Sequence, residues 1–127
     1  KQLLKPNGIA AFQIIALNNE RFLRYKKNLD FIQKHIFPGG MLPSKQILKK
    51  IIIQNNFSLI SCQTYAKHYA RTLKNWFVRF KKSWPAIKNL GFNEKFKRKW
   101  EYYLNYCEIG FELGTLDLMQ IRIKKKK

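Results

Sequence analysis

At 127 residues the chain is sized for one domain with a modest core. It carries 26 basic against 7 acidic residues, a formal charge of +19. That balance favours polyanions, either nucleic acid or an anionic membrane face, although lysine excess beside abundant Ile and Asn also reads as plain solvation. No apolar run approaches the roughly 20 residues of a bilayer span, and no charged-then-apolar leader precedes the first strand, so the expected location is cytoplasmic. Cys62 and Cys107 sit in unrelated segments without zinc-site spacing, and both read as small buried residues. The chain opens on Lys1, not Met, with an apolar run close behind it, and is expected to be the C-terminal piece of something larger.

Ile9 to Leu17 is a near-continuous apolar run opened by Pro6-Asn7-Gly8, which predicts a strand covered on both faces. Asn18 and Asn19 cap a helix that Glu20 opens. Phe22, Tyr25, Leu29, Ile32 and Ile36 recur at helical spacing and predict one stripe about 18 residues long. Pro38-Gly39-Gly40 stops it, and Ser44 caps a second helix with Ile47, Leu48, Ile51 and Ile52 on one side, ending at Asn55-Asn56. Residues 18–56 therefore read as a helical insertion that lids a pocket, in place of a sheet-crossing connection.

Phe57 to Cys62 predicts a short strand, followed by a long helix from about Tyr65 to Ser83 with Tyr65, Tyr69, Leu73, Trp76 and Phe80 inward. Trp84-Pro85 should end that helix, because the residue before proline is pushed out of the helical region. Asn93 caps the last helix, with Phe96, Trp100, Tyr103, Leu104 and Cys107 on its apolar face; Gly110 and Gly114 should break it. Leu116 to Ile123 reads as a final strand and Lys124 to Lys127 as a disordered tail.

Four stretches carry more than periodicity: Leu4-Lys5-Pro6-Asn7-Gly8; Asp30-Phe31-Ile32-Gln33-Lys34-His35-Ile36-Phe37-Pro38-Gly39-Gly40 with Leu42-Pro43-Ser44; His68-Tyr69-Ala70-Arg71-Thr72-Leu73 with Trp76; and Tyr102 to Glu108. In this order they resemble the cyclopropane-fatty-acyl-phospholipid synthases, S-adenosylmethionine-dependent methyltransferases. Asn7 departs from the family pattern, which has glycine there, and His35 stands where tyrosine is frequent. The resemblance implies an α/β fold, the C-terminal portion of a Rossmann-like class I methyltransferase: three strands, a helical lid insertion and two long helices.

It also implies methylene transfer from S-adenosylmethionine to a cis double bond of an unsaturated phospholipid chain, with bicarbonate taking up the proton as the ring closes. A cofactor site needs a glycine-rich turn between strand and helix plus an acidic residue for the ribose, and no glycine here is so placed. On the family pattern the cofactor is held by an upstream half, and the chain by itself is expected to be inactive. One catalytic position carries over. Tyr69, a core tyrosine on spacing alone, matches the family tyrosine that helps hold bicarbonate; its hydroxyl suits an anion and its ring face a cation. Phe31, Ile36, Phe37 and Leu42 are the expected acyl-pocket walls. The expected partner is an anionic phospholipid surface, to which the protein would attach peripherally. Nucleic acid is disfavoured because the aromatics fall on inward helical positions. A decayed gene remnant is the remaining alternative.

Overall fold

Six of the ten residues of Leu116–Lys125 are buried, and this strand is the one the sheet is built on. In the structure, a computed structural model that describes residues 4–126, it is the central strand of three. The elements run β1 (Ile9–Leu17), α1 (Asn19–Lys27), α2 (Phe31–His35), α3 (Lys45–Gln54), β2 (Phe57–Thr64), α4 (Ala66–Asn89), α5 (Glu94–Glu112) and β3 (Leu116–Lys125). The sheet order is β1-β3-β2, and β3 pairs antiparallel with both neighbours, so β1 and β2 run in the same direction.

Two apolar clusters flank the sheet. Leu17, Leu116 and Leu118 pack on one face with Phe22 of α1, Ala70 and Leu73 of α4, and Leu104 and Phe111 of α5. Ala16, Met119, Ile121 and Ile123 pack on the other with Ile52 of α3. Helix α3 thus covers the sheet within the connection from β1 to β2, which corrects the expectation that this insertion stands apart from a crossover.

Strand β1 is not covered on both faces. Only Ala16 and Leu17 are buried, while Ile9 is 50% and Phe12 47% exposed. The helices lie over β3 and the end of β1 and leave the rest of the outer strand open. Cys62, on the other outer strand, is exposed for the same reason.

The expected single helix from Glu20 to Ile36 is two. Asn28 takes an extended conformation after α1 and its amide donates back to the Arg24 carbonyl; Asp30 then caps α2. Asp30 Oδ1 accepts from the Gln33 N–H at 2.8 Å while Gln33 Oε1 accepts from the Asp30 N–H at 3.1 Å, a reciprocal capping box. Local side-chain caps here outcompete the helical stripe.

Pro85 does not end α4, which continues to Asn89. Packing overrides the local bias: Trp84 is buried, its indole N–H donates to Glu94 Oε1 at 3.2 Å, and its ring lies 5.9 Å from Phe80. Trp76, expected inward, is 43% exposed. Gly110 lies inside α5, where a Cβ would come within 2.9 Å of Leu116 Cδ1; it allows close approach of helix and strand. Gly114, at φ +67°, does follow the helix end. Of the expected tail, Lys124 and Lys125 belong to β3 and the Lys126 N–H donates to the Asn56 carbonyl; Lys127 lies outside the described residues.

Candidate active site

Tyr69 sits one turn into α4, its N–H donating to the Tyr65 carbonyl at 2.9 Å. Its ring stands edge-on to Phe111 at 4.9 Å and to Trp76 at 6.0 Å. Helix α5 runs against α4 and brings Tyr103 and Cys107, one turn apart on one face, to the same place. Burial pushes all three acidic groups up. Tyr69 rises above its ordinary value through burial and then the neighbouring Cys107. Tyr103 goes to about 12 through burial, then Cys107 and Tyr69, and Cys107 to about 12 through burial and then Asp30. The cluster is therefore a set of neutral hydroxyls and a neutral thiol among aromatic rings. It can donate hydrogen bonds and present ring faces, and Cys107 is a poor nucleophile there.

The Pro38-Gly39-Gly40 turn is fixed against this cluster. Gly39 takes φ +79°, the Gly40 N–H donates to the Phe37 carbonyl, and the buried Gln33 amide donates to the Gly40 carbonyl at 2.9 Å. Downstream, the Leu17 N–H donates to the Pro43 carbonyl at 2.9 Å and the Leu42 N–H donates to Tyr25 Oη at 3.2 Å. Ser44, buried, caps α3 by accepting from the Ile47 N–H. The turn is thereby tied to the end of β1 and to α1.

The four expected acyl-wall residues separate. Phe37 meets Tyr103 edge-on at 5.9 Å and so connects the turn to Tyr69 through one ring. Phe31 packs on Tyr102 at 4.4 Å and His35 at 4.9 Å, on another side of α5. Leu42 packs against the buried cluster beneath the helices, and Ile36, half-buried, closes α2. Two shallow depressions, one over α3 and one over the sheet near Gln120 and Arg122, involve none of the four. His68 is exposed and stands beside Tyr65, away from this cluster.

Tyr103 as the partner of Tyr69 was not singled out by sequence, although its one-turn spacing from Cys107 was visible. The Asp30-x-x-Gln33 capping box has a local spacing that could have marked the start of α2, and the expected single helix passed over it. The Lys45–Asp117 ion pair joins positions too distant in sequence for any local signal.

A profile of the mycolic acid cyclopropane synthetase family matches residues 1–121. The chain belongs to that family. It is 40% identical over 121 residues to the tuberculostearic acid methyltransferase UfaA1 of Mycobacterium tuberculosis, covering 94% of this chain and 28% of the relative. It is 34% identical over 120 residues to the cyclopropane-fatty-acyl-phospholipid synthase of Escherichia coli K12, covering 93% and 29%. The crystal structure of mycolic acid cyclopropane synthase CmaA1 complexed with SAH and CTAB superposes with a TM-score of 0.86 at 27% identity, over 98% of this chain and 46% of that one. The chain spans less than a third of the length of these two curated relatives.

The fold is accordingly the C-terminal portion of a class I methyltransferase domain. For an S-adenosylmethionine group, as used in such folds, the described residues do not fit. Gly39 and Gly40 follow α2, Gly91 joins α4 to α5, and Gly114 follows α5, so none opens a helix directly after a strand. Among the described residues no helix is long and apolar enough to cross a membrane.

Proposed function

We propose that this cyclopropane synthetase family chain is the C-terminal part of an S-adenosylmethionine-dependent enzyme that adds a methylene to the cis double bond of unsaturated phospholipid chains. It would work from the cytoplasmic side, peripherally attached to an anionic membrane face. The observation that carries the reading is the meeting of two family motifs at one point: Tyr69 of the His68-Tyr69-Ala70 helix and Phe37 of the Phe37-Pro38-Gly39-Gly40 turn both adjoin Tyr103. The cofactor falls to an upstream segment or chain.

In this reading Tyr69 supplies a neutral hydroxyl to hold bicarbonate, and raising its proton affinity by burial keeps it a donor. The faces of Tyr69, Tyr103 and Trp76 offer negative π density to positive charge on the lipid chain. Of the four expected wall residues, Phe37, which adjoins Tyr103, lines the acyl chain, and within the 18–56 insertion the segment ahead of α3 acts as its lid.

The test is a chimera in which this chain replaces the C-terminal part of the Escherichia coli synthase. Methylene incorporation into phospholipid acyl chains is then measured, with this chain alone as the inactive control. Tyr69→Phe keeps the ring contacts and should lower the rate about a hundredfold, as loss of a single preorganised donor does. A folded, cofactor-binding chimera that forms no product, or a Tyr69→Phe chimera as active as its parent, would overturn the reading.

A further inference from the structure

The α4–α5 hairpin is longer than the core it packs on. The first half of α4, from Ala66 to Phe80, and the second half of α5, from Trp100 to Phe111, carry the contacts with the buried cluster. Beyond Phe80 the aromatic contacts are the hairpin's own: Phe80 with Phe96 at 6.4 Å and Lys97 over the Trp84 ring at 5.5 Å join the two helices, and Phe92 of the turn packs on Phe96 at 4.5 Å. At about 1.5 Å per residue, α4 extends roughly 14 Å past Phe80 before it turns.

The turn is ordered and apolar. The Leu90 N–H donates to the Ile87 carbonyl, the Gly91 N–H to the Lys88 carbonyl, and Gly91 takes φ +95°. On either side of Gly91, Leu90 is 77% and Phe92 43% exposed. Between Arg79 and Lys99 there are eight basic residues and a single acidic one. That one, Glu94, is already engaged by Lys88 at 3.8 Å, Lys97 at 4.0 Å and the Trp84 indole. The end of the hairpin is thus two exposed apolar side chains in a cationic collar whose only negative charge is internally satisfied.

We infer that the Leu90-Gly91-Phe92 tip is a docking surface for an anionic lipid bilayer, with Leu90 and Phe92 entering the interface while the surrounding lysines and arginines hold the headgroups. This rests on the reading that the substrate is a membrane lipid. Charge complementarity selects a polyanion, and the apolar turn at its centre selects a bilayer, since phosphate-driven nucleic-acid binding has no use for exposed Leu90. Phe92 is anchored on Phe96, so little ordering is needed for it to insert.

The experiment is co-sedimentation of the chain with vesicles of equimolar phosphatidylglycerol and phosphatidylcholine, against phosphatidylcholine alone, without cofactor or turnover. Binding to the anionic vesicles is expected. Leu90→Ser with Phe92→Ser, at unchanged charge, should lower partitioning about tenfold. Lys88→Glu with Lys95→Glu should lower it by about two orders of magnitude. Independently of any variant, hydrogen exchange of residues 87–93 in the unmodified chain should slow on anionic vesicles.

Unchanged exchange at the tip, or serine variants that bind as tightly as the parent, would overturn the inference. Vesicle binding that survives in the charge variant while duplex oligonucleotide binding is lost would assign the collar to nucleic acid. Because no turnover is measured, docking without lipid methylation by the chimera would remove the proposed chemistry and leave the docking surface. The reverse result would remove only the surface.

Discussion

Lys45 Nζ stands 2.6 Å from Asp117 Oδ2 and joins the first residue of α3 to the central strand across 72 positions of sequence. The pair is uneven. The Asp117 side chain is 12% exposed, the Lys45 side chain 47%, and Asp117 Oδ1 is buried without a hydrogen-bond partner. Asp117 neighbours Ala16 in register, so this ion pair holds α3 and the Pro43-Ser44 cap against the end of β1.

Lys45→Met should therefore destabilise the chain by about 1–2 kcal/mol, mostly through the carboxylate left behind. Water reaching the half-exposed lysine position keeps the cost well below that of a fully buried pair. Adding Asp117→Leu removes the stranded charge and should recover most of the loss. Urea unfolding of the two single variants and the double variant measures the coupling; a Lys45→Met midpoint equal to the parent's would show that the pair contributes nothing.

Pro85 sits in the interior of α4, where it removes one helical N–H and crowds the carbonyl of Lys81. Interior proline costs a helix about 3 kcal/mol, and its rigidity in the unfolded chain returns about 0.4–1 of that. Pro85→Ala should stabilise the chain by about 2–2.5 kcal/mol, read as a higher urea midpoint with an unchanged slope. A lower midpoint would mean that the rigid backbone at Pro85 is needed to seat Trp84 on α5.

Pro85 also shows where sequence reasoning reaches its limit. The pre-proline bias is a local term, and it lost to Trp84, whose partners Phe80, Glu94 and Lys97 come from along and across the hairpin. The caps were legible because they are local: Asn18, Ser44 and Asn93 each accept from the N–H three residues on, as their spacing implies. The break at Asn28 to Asp30 was just as local, but the apolar stripe masked it.

Coverage of β1 was not legible, since an apolar strand carries no mark of which helices will lie over it. At the candidate site, the positions of Tyr69 and Phe37 in motifs were readable. Their joining through Tyr103 depends on how α5 crosses α4 and the turn, which only the fold supplies.

Cys107 provides a test of how dry that joining point is. Burial first, then the nearby Asp30, raises its thiol from an ordinary 9.0 to about 12, so the folded chain keeps this proton over a pH range in which the unfolded chain has released it. Fewer protons on the unfolded state means that stability falls as pH rises, here between about 9 and 12, and is fully retained below that window. Tyr103, raised from 10.0 to about 12, adds to the same fall in its upper part. Urea midpoints followed through this range should decline in the parent chain and decline less in Cys107→Ala. Identical slopes would mean that water reaches the thiol. At about pH 8 the same burial predicts that iodoacetamide modifies the exposed Cys62 well before Cys107. Mass spectrometry of the two cysteine-containing peptides over time separates them, and equal rates would show that the space between Tyr69 and Tyr103 is open to solvent.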